Sequence, residues 1–182
     1  MKQFLKWTID TIRNDEGISN WVEERKYEWL PLVSNLINNL LMGQSIIVIT
    51  DHDRKWFGQY VLYSINKPEK NRPLLPFYSI ESIFPHLDKV KNEDEIQQLN
   101  DLLSLSFTNG YLIWYIGKGN TNRAYIAKSR NDSFLWIMDE DLQNSFHFSS
   151  VDDLLDIRLI QLFRLFDKSI NAAMFNEIDV NQ

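Results

Sequence analysis

The sequence predicts an α/β protein: an open, mostly parallel sheet of about five strands sandwiched between helices in three layers, with extra helices at the N-terminus. Three observations point there. The runs Ser45-Ile46-Ile47-Val48-Ile49-Thr50 and Tyr111-Leu112-Ile113-Trp114-Tyr115-Ile116 are unbroken by charge, as strands covered on both faces are. Segments of helical period alternate with the strand candidates along the chain, the spacing of right-handed crossovers between parallel strands. Both apolar runs also lead through a short polar turn into a helix.

The elements follow in order. Phe4, Leu5, Trp7, Ile9 and Ile12 recur at helical spacing, and Asn14-Asp15-Glu16-Gly17 supplies a stop. Ser19 is placed to cap a longer second helix that carries Trp21, Tyr27 and Trp29 and ends at Gly43. Pro31 should kink or divide it near Trp29. After the first strand, residues 54–65 read as a helix and 66–71 as a polar loop. Residues 74–78 form a short second strand, and Pro76 within it predicts an edge position because proline cannot donate to a ladder. Residues 79–84 suit one helical turn, 89–95 a charged surface connection, and 96–105 a leucine-rich helix. The second apolar run is the third strand, followed by a turn at Gly117-Lys118-Gly119-Asn120-Thr121 and a helix over 123–129. Residues 133–137 and 146–148 are the fourth and fifth strands. The last helix opens at Asp152-Asp153 and is apolar over too wide an arc for one buried stripe, so it should be covered on two sides.

Composition narrows the function. A chain of 182 residues with 44% hydrophobic content buries a substantial core as a single domain, and no linker or repeat divides it. A formal net charge of −6 without a basic cluster argues against direct nucleic-acid binding. The absence of cysteine rules out disulfides, thiolate metal sites and cysteine nucleophiles, and suits the cytoplasm. No segment has the length of a membrane span or the pattern of a cleaved leader. Six Trp and eleven Phe exceed what a core of this size needs, so the N-terminal helices over 1–43 are expected to pack on another copy of the chain.

The places where chemistry could sit are few. Asp51 and Asp53 put two carboxylates at the exit of the first strand, where a phosphate-binding turn would have glycine. The economical reading makes Asp53 the cap of the next helix and Asp51 a solvated loop residue. His52, His86 and His147 are dispersed and show no metal-site spacing, so neither metal nor cofactor is expected. Gly117 to Thr121 could hold a phosphate, but its lysine precedes the second glycine and breaks the P-loop order. Trp56 and Phe57 are adjacent on a helix, about 100° apart, so one sheet cannot cover both.

Three segments taken together carry a family likeness. Arg54-Lys55-Trp56-Phe57 with Arg72-Pro73-Leu74-Leu75, then Ser133-Phe134-Leu135-Trp136, then Leu154-Leu155-Asp156 running into 159–166 resemble the HobA family of replication-initiation regulators of Helicobacter and its relatives. The resemblance spreads over the whole chain. It implies a fold like the sugar isomerase (SIS) domain, of flavodoxin-like topology, assembled as a homotetramer. It also implies a non-enzymatic adaptor that binds the N-terminal domain of the initiator DnaA and gathers initiator molecules at the chromosomal origin, without catalytic, cofactor or metal residues. By the same resemblance, Gly119 and Thr121 are remnants of a phosphosugar loop. Alignment with the related adaptor DiaA places its partner-binding Leu-Phe pair on Met174 and Phe175, with Trp21, Tyr27, Trp29, Trp56 and Phe57 as further partner-binding candidates.

Two other readings compete. A phosphosugar isomerase or sensor would use 117–121 for the anion and Asp51 or His52 as base, but it needs more hydroxyl side chains than either strand exit offers. A structural oligomer with a different partner is the third.

Overall fold

The computed structural model describes residues 2–180. Met1, Asn181 and Gln182, which a single domain over 1–182 would include, lie outside the described residues. Five strands, β1 (Ser45–Thr50), β2 (Phe77–Ser79), β3 (Tyr111–Lys118), β4 (Phe134–Met138) and β5 (Ser145–Phe148), form one sheet in the order β2-β1-β3-β4-β5. Every neighbouring pair is parallel. β2 is an edge strand, as Pro76 predicts, although it begins one residue after that proline, whose carbonyl accepts from the Ile46 N–H.

The two faces of the sheet differ in kind. On one, Trp114, Phe134, Trp136, Phe146 and Phe148 meet Trp29, Phe57 and Phe166 in an aromatic core. Its covering helices are α1 (Lys2–Asn14), α2 (Trp21–Glu24), α3 (Lys26–Leu41), α4 (Lys55–Ile65) and α8 (Leu155–Met174). On the other face, Ile47, Ile49, Ile113 and Ile137 pack on α5 (Ile80–Ile83), α6 (Glu93–Ser106) and α7 (Asn122–Lys128). Alternation along each strand makes this division: Trp114 and Ile116 point one way, Ile113 and Tyr115 the other. α8 packs against α1, α3 and α4 as well as the sheet, which accounts for its wide apolar arc.

Several expectations need correction. The long N-terminal helix divides at Arg25, not near Trp29, and Pro31 lies on the exposed side of α3 without breaking it. The division has a tertiary cause. Arg25 stacks 4.0 Å above the Phe146 ring and donates to the His147 carbonyl at 2.6 Å, which ties the chain to the β5 edge. Ser19 makes no cap, since Asn20 precedes α2 and the Ser19 hydroxyl accepts from Gln161. The charged stretch before 96 is not all connection: a 3-10 turn ends at Lys89, and α6 begins at Glu93, capped by Asn92. Of the N-terminal aromatics, Trp29 is fully buried and Trp21 stands edge-on to Phe146 and Phe148; neither placement bears on the expected contact of residues 1–43 with another copy.

Candidate functional site

The strand order reverses between β1 and β3, and the carboxyl end of that junction is where open α/β sheets receive ligands. A cleft of about 460 Å³ opens there. Thr50 pairs with Ile116, so Asp51 and Gly117 lie abreast. The missing side chain of Gly117 makes room for the carboxylate, because a Cβ there would stand 2.7 Å from Asp51 Cγ. Asp51 is buried, and its oxygens accept from the Arg54 N–H at 2.9 Å, the Lys118 N–H at 2.8 Å and Arg54 Nη1 at 3.2 Å. The expected roles are therefore exchanged: Asp51 organises the turn from inside, whereas Asp53 is exposed and pairs with Arg54.

Arg123, buried beside this turn, donates to Asp88, Glu81 and the Thr50 carbonyl at 2.9 to 3.2 Å. Its hydrogen bonds to Asp88 hold that carboxyl below the usual range against the cost of burial. Burial opposes the ionisation of Glu81, but Arg123 and Lys55 together outweigh it and lower that carboxyl too. The next turn is equally occupied. Thr121 caps α7 through the Ala124 N–H and bonds the Tyr115 hydroxyl, whose ionisation burial makes harder. The Gly119 N–H goes to the Met138 carbonyl, and a Cβ on Gly119 would collide with the Glu140 carboxylate. The Lys118 and Gly119 N–H groups are bonded within the chain, and the Asp51 and Glu140 carboxylates crowd the two turns. Among the described residues, no group of three or more His, Cys, Asp and Glu could hold a metal ion, and no helix is long and apolar enough to cross a membrane.

A different kind of surface lies on the α4 and α8 pair. Both helices leave the carboxyl ends of parallel strands and run the same way. Tyr60 and Phe163 are edge to face at 5.6 Å, and Phe57 contacts the same ring at 6.3 Å. Trp56 lies one turn before Tyr60 on α4, and Ile160 one turn before Phe163 on α8. Trp56, Tyr60, Leu154, Ile157 and Ile160 all expose apolar surface, with Ile157 at 53%. Phe57, Phe163 and Trp136 form a rigid floor beneath them. Trp and Tyr are the apolar residue types enriched among protein-binding anchors.

The predicted partner-binding residues do not converge. Trp56 lies on this face; Phe57 lies under it and, like Trp29, has no exposed surface. Trp21 is half buried and donates from Nε1 to Gln161 at 2.7 Å. Tyr27 is exposed at the start of α3, with the Lys26 ammonium over its ring. Met174 packs partly on the core, and Phe175 is exposed at the far end of α8. Sequence reading passed over Tyr60, Ile157 and Ile160 as site residues. Their signal was a second apolar stripe on each helix, offset from the buried one.

Comparison with known proteins matches the HobA family model, described as a DNA replication regulator, over residues 1–180. The chain is 30% identical to the DNA replication regulator protein HobA of Helicobacter pylori, over 98% of this chain and 99% of that protein. It is also similar to the crystal structure of H. pylori HobA, with a TM-score of 0.76 and 28% identity over 98% of this chain and 94% of the other. A crystal structure of a HobA complex with domains I and II of DnaA from the same organism matches with a TM-score of 0.75 and 26% identity, over 98% and 95% of the two chains.

Proposed function

The chain belongs to the HobA family of DNA replication regulators, and from that premise we propose that it is a cytoplasmic, non-enzymatic adaptor that binds the N-terminal region of its organism's DnaA. The observation that carries this reading is the α4 and α8 face, where Trp56, Tyr60, Ile157 and Ile160 stand exposed on an aromatic floor. It is supported by the solved relative that forms a complex with DnaA domains I and II, and by a strand-exit cleft that is wired internally rather than left open to a sugar phosphate. The adaptor acts as a homotetramer. Several initiator molecules held on one particle reach a high effective local concentration, so modest single contacts suffice to order them on the origin. DNA need not touch the adaptor, in keeping with its net charge of −6.

Calorimetric titration with the cognate DnaA N-terminal domain at two salt concentrations tests the reading. Saturation near one domain per subunit is expected. Trp56→Ala should weaken binding by about 2 kcal/mol, roughly 30-fold, as removal of an interface anchor does. Absence of heat and of a complex on a sizing column would refute the adaptor, and a thermal shift with sugar phosphates would then favour the isomerase reading.

A further inference from the structure

On the outer side of β1, away from the bonded turns, lies a cleft whose polar groups are largely unclaimed. β1 runs to Thr50, but β2 pairs with it only as far as Val48 opposite Ser79, and the chain then turns away into α5. The end of β1 therefore has no strand beside it on that edge. α4 approaches closely there, since a Cβ on Gly58 would stand 2.8 Å from Thr50 Cγ2. What remains is a cleft of about 340 Å³ with Val48, Leu62 and Ile80 as its apolar walls, near the lower end of the roughly 300 to 1,000 Å³ of small-molecule sites.

The polar groups of the cleft divide by what they already bind. Arg123 directs each of its side-chain nitrogens to Asp88, Glu81 or the Thr50 carbonyl. Thr50, by contrast, is only 8% exposed, and its hydroxyl makes no hydrogen bond among the described residues; the Gln59 carboxamide and the Ser82 hydroxyl make none either. Lys55 and Glu81 pair at 3.1 Å with side chains 53% and 29% exposed, so water still reaches both charges. Both keep bonding capacity. The ammonium has further N–H groups, and each Glu81 oxygen, one facing Lys55 and the other Arg123, has a second lone pair.

We propose that this cleft binds a free α-amino acid as its zwitterion, with the carboxylate toward Lys55 and the hydroxyls, the ammonium toward Glu81, and the side chain on the apolar walls. Charge selects the class. The linked groups Lys55, Arg123, Glu81 and Asp88 carry two charges of each sign, so a ligand of net charge finds no excess of the opposite sign. A ligand that fills the cleft also strips water from a half-exposed ion pair, a loss offset only by charges of its own. A zwitterion meets both conditions. A neutral polyol meets the first alone, and a phosphate or a divalent cation brings charge of one sign only. The unpartnered hydroxyls of Thr50 and Ser82 then donate to the carboxylate, which gives the buried Thr50 hydroxyl the partner the fold does not supply. The site is separate from the α4 and α8 face, and the inference does not rest on initiator binding.

The test titrates the full chain, labelled with nitrogen-15, with L-leucine, L-valine and L-methionine, and follows the backbone amide resonances. Saturable shifts at Thr50, Gly58 and Ser82 are expected with at least one of the three. Leucinamide lacks the carboxylate charge and N-acetyl-leucine the ammonium, so each should bind at least about 10-fold more weakly than leucine, the scale of one charge-assisted hydrogen bond. Lys55→Met should weaken leucine binding to a similar degree. Thr50→Val keeps the branched shape and removes the hydroxyl, so it should weaken binding about 5-fold. Its urea midpoint should stay level or rise, because the fold loses a buried hydroxyl that had no partner. That pairing of weaker binding with undiminished stability is not what a merely structural threonine would give. No saturable shift with any of the three amino acids up to millimolar concentration, equal binding of leucine and both capped forms, or unchanged affinity in both variants would overturn the proposal. So would binding of D-glucose in their place. Failure of the DnaA titration leaves these outcomes unaffected.

Discussion

The two ends of the sheet share five strands and little else. At the carboxyl end, hydrogen bonds join Asp51 to Arg54 and the Lys118 N–H, and Arg123 to Glu81 and Asp88. At the amino end, Met42 and Leu74 are exposed in uncharged turns and Leu105 at the end of α6. Open α/β folds usually bind ligands at the first end and keep the second inert. Here the bonded network holds the loops together and the plain end stands exposed. Polarity alone does not mark a site; unfilled bonding capacity does.

The sharpest test of that contrast removes Asp51. Asp51→Ala would leave the Arg54 and Lys118 N–H groups without their acceptor and the buried Arg54 guanidinium with only Asp53. Breaking a buried charged network from one side is expected to cost about 3 kcal/mol, read as a lower urea midpoint at unchanged slope. Loss of less than about 0.5 kcal/mol, the scale of an ordinary surface change, would show that the carboxyl end is not held by these bonds. Gly117→Ala should follow, at about 2 kcal/mol, because the new Cβ meets Asp51 Cγ and the Tyr115 hydroxyl at 2.7 Å in a backbone already at φ +157°. If it is neutral, the turn is looser than this packing requires.

The contrast was partly legible in the sequence. The two apolar runs announced β1 and β3, and Pro76 announced an edge, because continuous burial and a missing donor are local properties of a segment. Asp51 was misread as solvated and Asp53 as the cap. Which of two acids faces inward depends on Gly117, 66 residues away, through the β1 and β3 register. Arg25 divides the N-terminal helix for a similar reason, since the ring and carbonyl that hold it belong to β5. The α4 and α8 face required knowing that two helices far apart in sequence run side by side. Aromatic content suggested a surface but not where it was, as most of the rings line the chain's own sheet.

Acid should separate the two ends next. Glu81 and Asp88 have folded pKa values below their unfolded ones, so their ion pairs contribute stability above about pH 4, the usual carboxylate range. That contribution is lost as pH falls toward the lowered folded values. Asp15 behaves alike: burial opposes its charge, but Arg164, Lys168 and the Gly17 N–H prevail and lower its pKa strongly. Denaturant midpoints measured from pH 6 down to pH 2 should fall, and Asp88→Asn should flatten part of that slope. A wild-type curve level below pH 4 would contradict the assigned ion pairs.

The smallest effect is expected at the amino end, and it is the most discriminating because it predicts silence. Leu105→Ser removes a side chain that is 82% exposed at the end of α6, so unfolding at protein concentrations too low for self-association should shift by no more than about 0.5 kcal/mol. Its midpoint against pH should run parallel to the wild type, since no titrating group lies in the uncharged stretch from 102 to 117 other than two tyrosines. A Leu105→Ser variant that is destabilised even when dilute would place Leu105 in the fold, and the division of labour between the two ends would fail.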